Sequence, residues 1–154
     1  MPERRSKKKL LIAAQPMAWR ELQPILQRSF DLLPVQTVSE AIRRLAREPG
    51  IDAIVATIGF DDFRIFQLLR AIKQNPGTKN LAFISCRALR SMLGGKWLDR
   101  LPVLFKWYGV DAYIDIPSLQ EKFGPQIAAT RFRAVVARCI RSKRAASKRR
   151  PKHT

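Results

Sequence analysis

Few side chains in this sequence are of a type to do chemistry, and they are scattered. Thr57 and Ser85 each lie at the end of an apolar run, and the acids Asp61 and Asp62 follow closely after the first run. A threonine nucleophile needs a base to take its proton. The single histidine, His153, lies in a basic run near the end of the sequence, which argues against imidazole catalysis and against histidine metal sites. Asp61 and Asp62 can be read as carboxylates serving Thr57, or as acids favoured at the start of the next helix. Cys86 and Cys139 are too far apart to form a metal-ligand pair. One follows a buried-strand pattern and the other an apolar helix face, so both read as core thiols. "LGGKW" (93–97) lacks the glycine-to-lysine spacing and the Ser/Thr of a phosphate loop. No catalytic residue, cofactor site or metal ligand is expected, and the chain reads as a non-enzyme.

These residues must be held by a folded body, and the totals allow one. A chain of 154 residues that is 46% hydrophobic suits one domain with a usable core. No apolar run approaches the ~20 residues of a membrane span, and the basic start followed by a short broken apolar run makes a poor signal peptide. A cytoplasmic address is expected. The net charge of +18 is concentrated at the two ends. Residues 1–9 carry +4 and residues 131–154 carry +10 with no acid, whereas 10–130 hold 15 basic and 11 acidic residues.

Periodicity supplies the elements. "KKLLIAA" (8–14) reads as a strand. "MAWRELQPILQRSF" (17–30) reads as a helix with Leu22, Ile25, Leu26 and Phe30 on one face and Pro24 kinking or shortening it. "DLLPVQTV" (31–38) reads as a strand that Pro34 confines to a sheet edge, because proline cannot donate to a ladder. "SEAIRRLAREPG" (39–50) is a helix capped by Ser39 and stopped by Pro49-Gly50. "IDAIVATI" (51–58) is apolar throughout, as a strand covered on both faces should be. A helix with Phe63, Phe66, Leu69 and Ile72 inward follows, then a strand at 80–86. A helical stretch broken at Gly94-Gly95 and Pro102 precedes a fifth strand at 110–116. The last helix stacks Ile127, Phe132, Val135, Val136, Cys139 and Ile140 on one stripe, with Arg131, Arg133, Arg138 and Arg141 outward. Alternating strands and helices predict an α/β protein with a parallel sheet and helices on both faces.

"SEAIRRLAREPGIDAIVATIG" (39–59) is similar to the second helix and third strand of receiver (CheY-like) domains of two-component response regulators, and "GVDAYIDIP" (109–117) is similar to that family's closing "G-A-D-D-Y-L-x-K-P". The resemblance covers roughly residues 8–142. It implies a flavodoxin-like (βα)5 three-layer sandwich with a parallel five-stranded sheet of order 2-1-3-4-5, in which the second strand is an edge. The family's Mg²⁺-holding acidic pair falls on Ala13 and Ala14, its phosphoacceptor aspartate on Thr57, its strand-four hydroxyl on Ser85, and its lysine on Ile116. Only Ser85 matches. Alanine methyls supply no oxygen to a hard cation, and isoleucine cannot neutralise a phosphoryl group. The resemblance thus implies a degenerate pseudo-receiver: a regulatory module of a two-component-type signalling or transcription-control system whose phosphoacceptor pocket is dismantled.

Two surfaces remain as candidates for partners. In the family, the face of the fourth helix, fifth strand and fifth helix carries dimerisation and output. On this face Lys96, Trp97, Lys106, Trp107, Tyr108 and Tyr113 suit a protein partner or a homodimer, or the aromatics fill an enlarged core. The domain is expected to span 9–142, between a basic arm at 1–8 and a disordered basic tail at 143–154. Arg4, Arg5, Lys7, Lys8, Arg141, Lys143, Arg144, Lys148, Arg149, Arg150 and Lys152 are the candidate polyanion contacts. They suit salt-sensitive, non-specific binding of nucleic acid, an anionic membrane surface, or no more than a solubilising tail. A basic nucleic-acid-associated protein using the α/β domain as a platform is the alternative reading.

Overall fold

The computed structural model describes residues 7–90 and 96–149, with the side chains of residues 96–98, 148 and 149 outside the description. Five strands, β1 (Lys8–Ala13), β2 (Phe30–Val35), β3 (Ile51–Thr57), β4 (Ala82–Arg87) and β5 (Ala112–Asp115), form one parallel sheet of order β2-β1-β3-β4-β5. This is the expected order. Pro34 lies on β2, an edge strand, opposite Ile12 of β1, so its missing N–H leaves no gap in the interior of the sheet.

Two helical layers cover the sheet. On one face α1 (Pro16–Leu26) and α7 (Pro125–Arg149) bury Leu22, Leu26, Phe132, Val136 and Ile140 against Leu10, Ile12, Val55 and Ile84. On the other, α2 (Val38–Arg47), α4 (Ile65–Gln74) and α5 (Lys96–Trp107) bring Ala41, Ile65, Leu69, Ile72, Leu101 and Phe105 onto Leu11, Ile54, Ala56 and Phe83. Two short helices, α3 (Phe60–Phe63) and α6 (Ile116–Phe123), complete the set.

Several local expectations are corrected. Thr37, not Ser39, caps α2: its Oγ1 accepts the Glu40 N–H at 3.1 Å. Asp61 and Asp62 do not start a regular helix, for both lie in the left-handed region (φ 48° and 53°), and Asp61 Oδ2 accepts the Val38 N–H at 2.9 Å. That carboxylate therefore serves the positive end of the neighbouring helix α2. Phe63, also left-handed, is exposed rather than inward, and Ile65 and Leu68 fill the core with Leu69 and Ile72. Phe30 opens β2 instead of closing α1. Pro102 is accommodated within α5, and a further helix, α6, follows β5 directly, so that Ile116 is helical. On α7 Ala128 turns inward and Ile127 is half exposed.

The largest correction concerns the tail. Residues 143–149 are not disordered but continue α7, which runs 25 residues. Ala145 and Ala146 are strong helix formers, and extending an existing helix adds one hydrogen bond per residue without a new nucleus. Lys143 pairs with Asp111 at 3.1 Å and Arg144 with Asp52 at 2.5 Å, which fastens the extension to the amino end of the sheet.

Burial separates the core aromatics from the surface ones. Phe132→Ala is expected to lower the unfolding free energy by about 3–5 kcal/mol, since Phe132 is fully buried. Trp107→Ala, at a position 85% exposed, should stay within about 0.5 kcal/mol of the parent. Urea unfolding of the two variants checks both, and an equal loss would assign Trp107 to the core.

Candidate functional site

In a parallel α/β sheet, ligands meet the protein at the carboxyl ends of the strands. Here those ends are apolar or internally paired. Ala13 and Ala14, which close β1, are buried and face opposite hydrophobic clusters. Thr57 ends β3 at 2% exposure, and its hydroxyl donates to Gln15 Oε1 at 2.7 Å and approaches the Ala13 carbonyl at 3.5 Å. Ile116 is buried at the start of α6.

Ser85 does not join this group. The strand register sets Thr57 beside Cys86 and Ser85 beside Ala56 and Tyr113. Because side chains alternate across a strand, Cys86 shares the pleat with Thr57, whereas Ser85 faces the α5 layer. The one residue matching the family's set thus points away from the strand-three position. Ser85 Oγ and Tyr113 Oη are both buried without a protein hydrogen-bond partner among the described residues. Cys86, next to Thr57, is fully buried, and desolvation pushes its thiol far above the ordinary range; burial also raises Cys139. Neither is a thiolate nucleophile at neutral pH.

Sequence reasoning missed the residues that close the edge. Arg87, almost buried at the end of β4, sends Nη1 to both oxygens of Asp115 at 3.0 and 3.2 Å and Nη2 to the Arg90 carbonyl at 2.5 Å. Asp115 also accepts the Ser118 N–H at 3.1 Å as the cap of α6. Gln15, Thr57, Gly59, Arg87 and Ala88 close around a gap too small for a water molecule. The receiver fold implies a Mg²⁺ at this edge, and the donor set does not fit one. Ala13 and Ala14 offer methyl groups, Asp115 is engaged by Arg87, and Asp61 by Val38 and Arg64. Among the described residues no group of three His, Cys, Asp or Glu is gathered for a metal.

The α5 surface is the opposite case. Trp107, Val103 and Tyr108 are strongly exposed, Leu104 less so, and Leu101 and Phe105 point into the core. Tyr113 is half buried, stacked on Phe105 at 5.4 Å; Phe105 stacks on Phe66 at 5.3 Å, and Phe66 meets Tyr108 at 4.9 Å. A line of four rings thereby runs from the surface to the Ser85 neighbourhood. Lys106 is exposed beside Trp107, while the side chains of Lys96 and Trp97 lie outside the described ones. Of the candidate polyanion contacts, Arg141 is exposed, Lys7 donates to the Gln27 carbonyl, Lys8 lies in β1, and Lys143 and Arg144 are ion-paired. Arg4, Arg5, Arg150 and Lys152, and the side chains of Lys148 and Arg149, lie outside the described residues. No described helix is long and apolar enough to cross a membrane.

Thr57→Val keeps the shape of the side chain and removes its hydroxyl, so a loss of about 0.5–1.5 kcal/mol in urea unfolding is expected. Cys86 should resist a thiol reagent at pH 8 in the native protein and react once the chain is unfolded. An unfolded thiol ionises near pH 8.5, whereas the folded one holds its proton. The contribution of this thiol to stability is therefore fully present below about pH 8.5 and declines as the pH rises above that value. Rapid native labelling of Cys86 would contradict its burial.

No family model matches the sequence, and no curated protein is similar to it by sequence. Solved structures are similar in fold. A sensor protein from Polaromonas sp. JS666 superposes with a TM-score of 0.68 at 20% identity, covering 88% of this chain and 98% of its own. A response regulator receiver domain protein from Clostridium thermocellum gives 0.68 at 18% identity, covering 91% and 98%. A CheY-like receiver domain protein from Methanospirillum hungatei JF-1 gives 0.60 at 19% identity, covering 89% and 99%. The five-stranded 2-1-3-4-5 architecture of this chain is accordingly the fold of response regulator receiver domains.

Proposed function

We propose that this chain is a receiver-fold regulatory module of a two-component-type system that acts by protein contacts and does not pass through an aspartyl phosphate. One observation carries the reading: the strand ends that would hold a nucleophile, a metal and a counter-cation present Thr57, Ala13, Ala14 and Ile116, with the Thr57 hydroxyl bonded to Gln15. A phosphorylated receiver needs a carboxylate to attack phosphorus and a cation to gather charge on the transferring oxygens. At this edge Arg87 and the carboxylates Asp115 and Asp61 are already committed to partners within the chain. The neighbours in fold include response regulators and a sensor protein, which favours a place in signalling over one in metabolism.

With the pocket closed, recognition falls to the surface. Val103 and Trp107 on α5 and Tyr108 just beyond it form an exposed apolar patch flanked by Lys106, the kind of surface that protein interfaces use. The cationic termini assist by holding a polyanion. The alternative reading, a basic nucleic-acid-associated protein, is favoured by one specific feature: α7 carries no acidic residue over its 25 positions in a chain of net charge +18.

The test is direct. After incubation with a small phosphodonor and Mg²⁺, the intact mass of the protein should be unchanged. An adduct of about 80 Da that mild base removes would sink the reading. Trp107→Ala should also abolish cross-linking to the protein's partner or second copy without altering stability; unchanged cross-linking would remove α5 from the contact.

A further inference from the structure

We infer that the outer surface of the α1–α7 layer is a binding face for duplex DNA. The inference rests on the polyanion contact proposed above and moves it from the chain ends onto a folded surface. The helices α1 and α7 pack side by side over one face of the sheet, turning Ala18, Leu22, Leu26, Phe132, Val136 and Ile140 inward. What they turn outward is arginine. Arg20 on α1, Arg28 just beyond it, and Arg131, Arg138 and Arg141 on α7 are all exposed, Arg131 with its guanidinium 3.9 Å over the Phe123 ring of α6. Arg133 is anchored to the Ile25 carbonyl at 3.1 Å, tying the two helices together beneath this surface. Across α1 and α7 the only acid is Glu21. The opposite layer is mixed, with Glu40, Glu48, Asp61 and Asp62 among its arginines.

Three features point to a phosphate backbone. Every exposed cation named on this face is an arginine, whose planar fork grips two phosphate oxygens where lysine offers a point charge. On the α7 helix Arg131, Arg138 and Arg141 are set along about 15 Å of axis, a span crossing several phosphates of one strand. Most of the apolar stripe of α7 is used up in the core, and the exposed Met17 and Ile127 are isolated, which is too little to enter a bilayer. Base stacking is not what this face offers either, because the exposed Trp107 and Tyr108 lie at the end of α5 and just beyond it, in the other layer. The contact is therefore to duplex backbone, salt-sensitive and independent of sequence. Lys143 and Arg144 take a supporting part: their ion pairs to Asp111 and Asp52 hold the end of α7 in place.

The experiment is fluorescence anisotropy of a labelled random-sequence DNA duplex across a salt series. It compares the full-length parent, the combined Arg20→Gln, Arg28→Gln, Arg138→Gln and Arg141→Gln variant, and a control with Arg43→Gln, Arg47→Gln, Arg70→Gln and Arg100→Gln. The control loses the same charge from exposed arginines of the opposite layer. The first variant should bind at least about 10-fold more weakly and lose up to roughly 3.6 from the slope of log affinity against log salt, at about 0.9 per phosphate contact. The control should change far less, and matched thermal midpoints will show that both fold. Equal weakening of the two variants, or an unaffected first variant, overturns the face assignment while leaving the polyanion reading intact. A parent that binds no duplex, or binds only phosphatidylserine vesicles, overturns this inference; failure on both probes overturns the polyanion reading as well.

Discussion

A parallel sheet covered on both sides has only its strand ends to offer to polar partners, and that constraint organises this molecule. The interior strands are apolar on both faces because helices cover both. Hydroxyls, amides and charges near the sheet then look for partners at one end or the other, and Ser85 and Tyr113 find none among the described residues. At the carboxyl end Thr57 finds Gln15 and Arg87 finds Asp115; at the amino end Asp52 finds the Lys9 amide and Arg144. Both ends are satisfied from within the chain. Such closure stabilises the fold and, on the function proposed above, removes the opening through which a receiver normally exchanges phosphate.

The two helical layers that flank this edge differ in chemistry. The α5 side shows aromatic and aliphatic groups, with Trp107 the most exposed large hydrophobic side chain among the described residues. The α1–α7 side shows arginine. Proteins that join two different partners often separate apolar and charged contacts in this way, since hydrophobic patches give affinity at short range and cationic ones attract from a distance. The aromatic line from Tyr108 through Phe66 and Phe105 to Tyr113 passes beneath the apolar patch, so that patch rests on packed rings rather than on a loop.

Much of this fold was legible in the sequence because its elements follow strong local rules. The β3 run is continuously apolar, Pro34 requires an edge, and the α2 face repeats with helical period. The position of the strand-four hydroxyl was not legible, for a physical reason. "AFISC" is apolar on both pleats, so nothing in the pattern fixes the phase by which Ser85 or Cys86 comes to lie beside Thr57. Gln15 and Thr57 are 42 residues apart, and only tertiary structure brings them together. α6 did leave a signal in Asp115 followed by Pro117, a cap and a first-turn proline, but the strand pattern before it masked that signal. The helical tail was misread because charge density outweighed the alanines and because the acids that hold it, Asp52 and Asp111, are distant in the chain.

The carboxylate of Asp52 receives one strand from the beginning of the chain and one helix from its end: the Lys9 amide on one oxygen and the Arg144 guanidinium on the other. A ribosome delivers those two groups in order, with most of the chain between them. The first strand can therefore pair with its neighbours while synthesis continues, but this corner of the domain is sealed only after the final helix has left the exit tunnel.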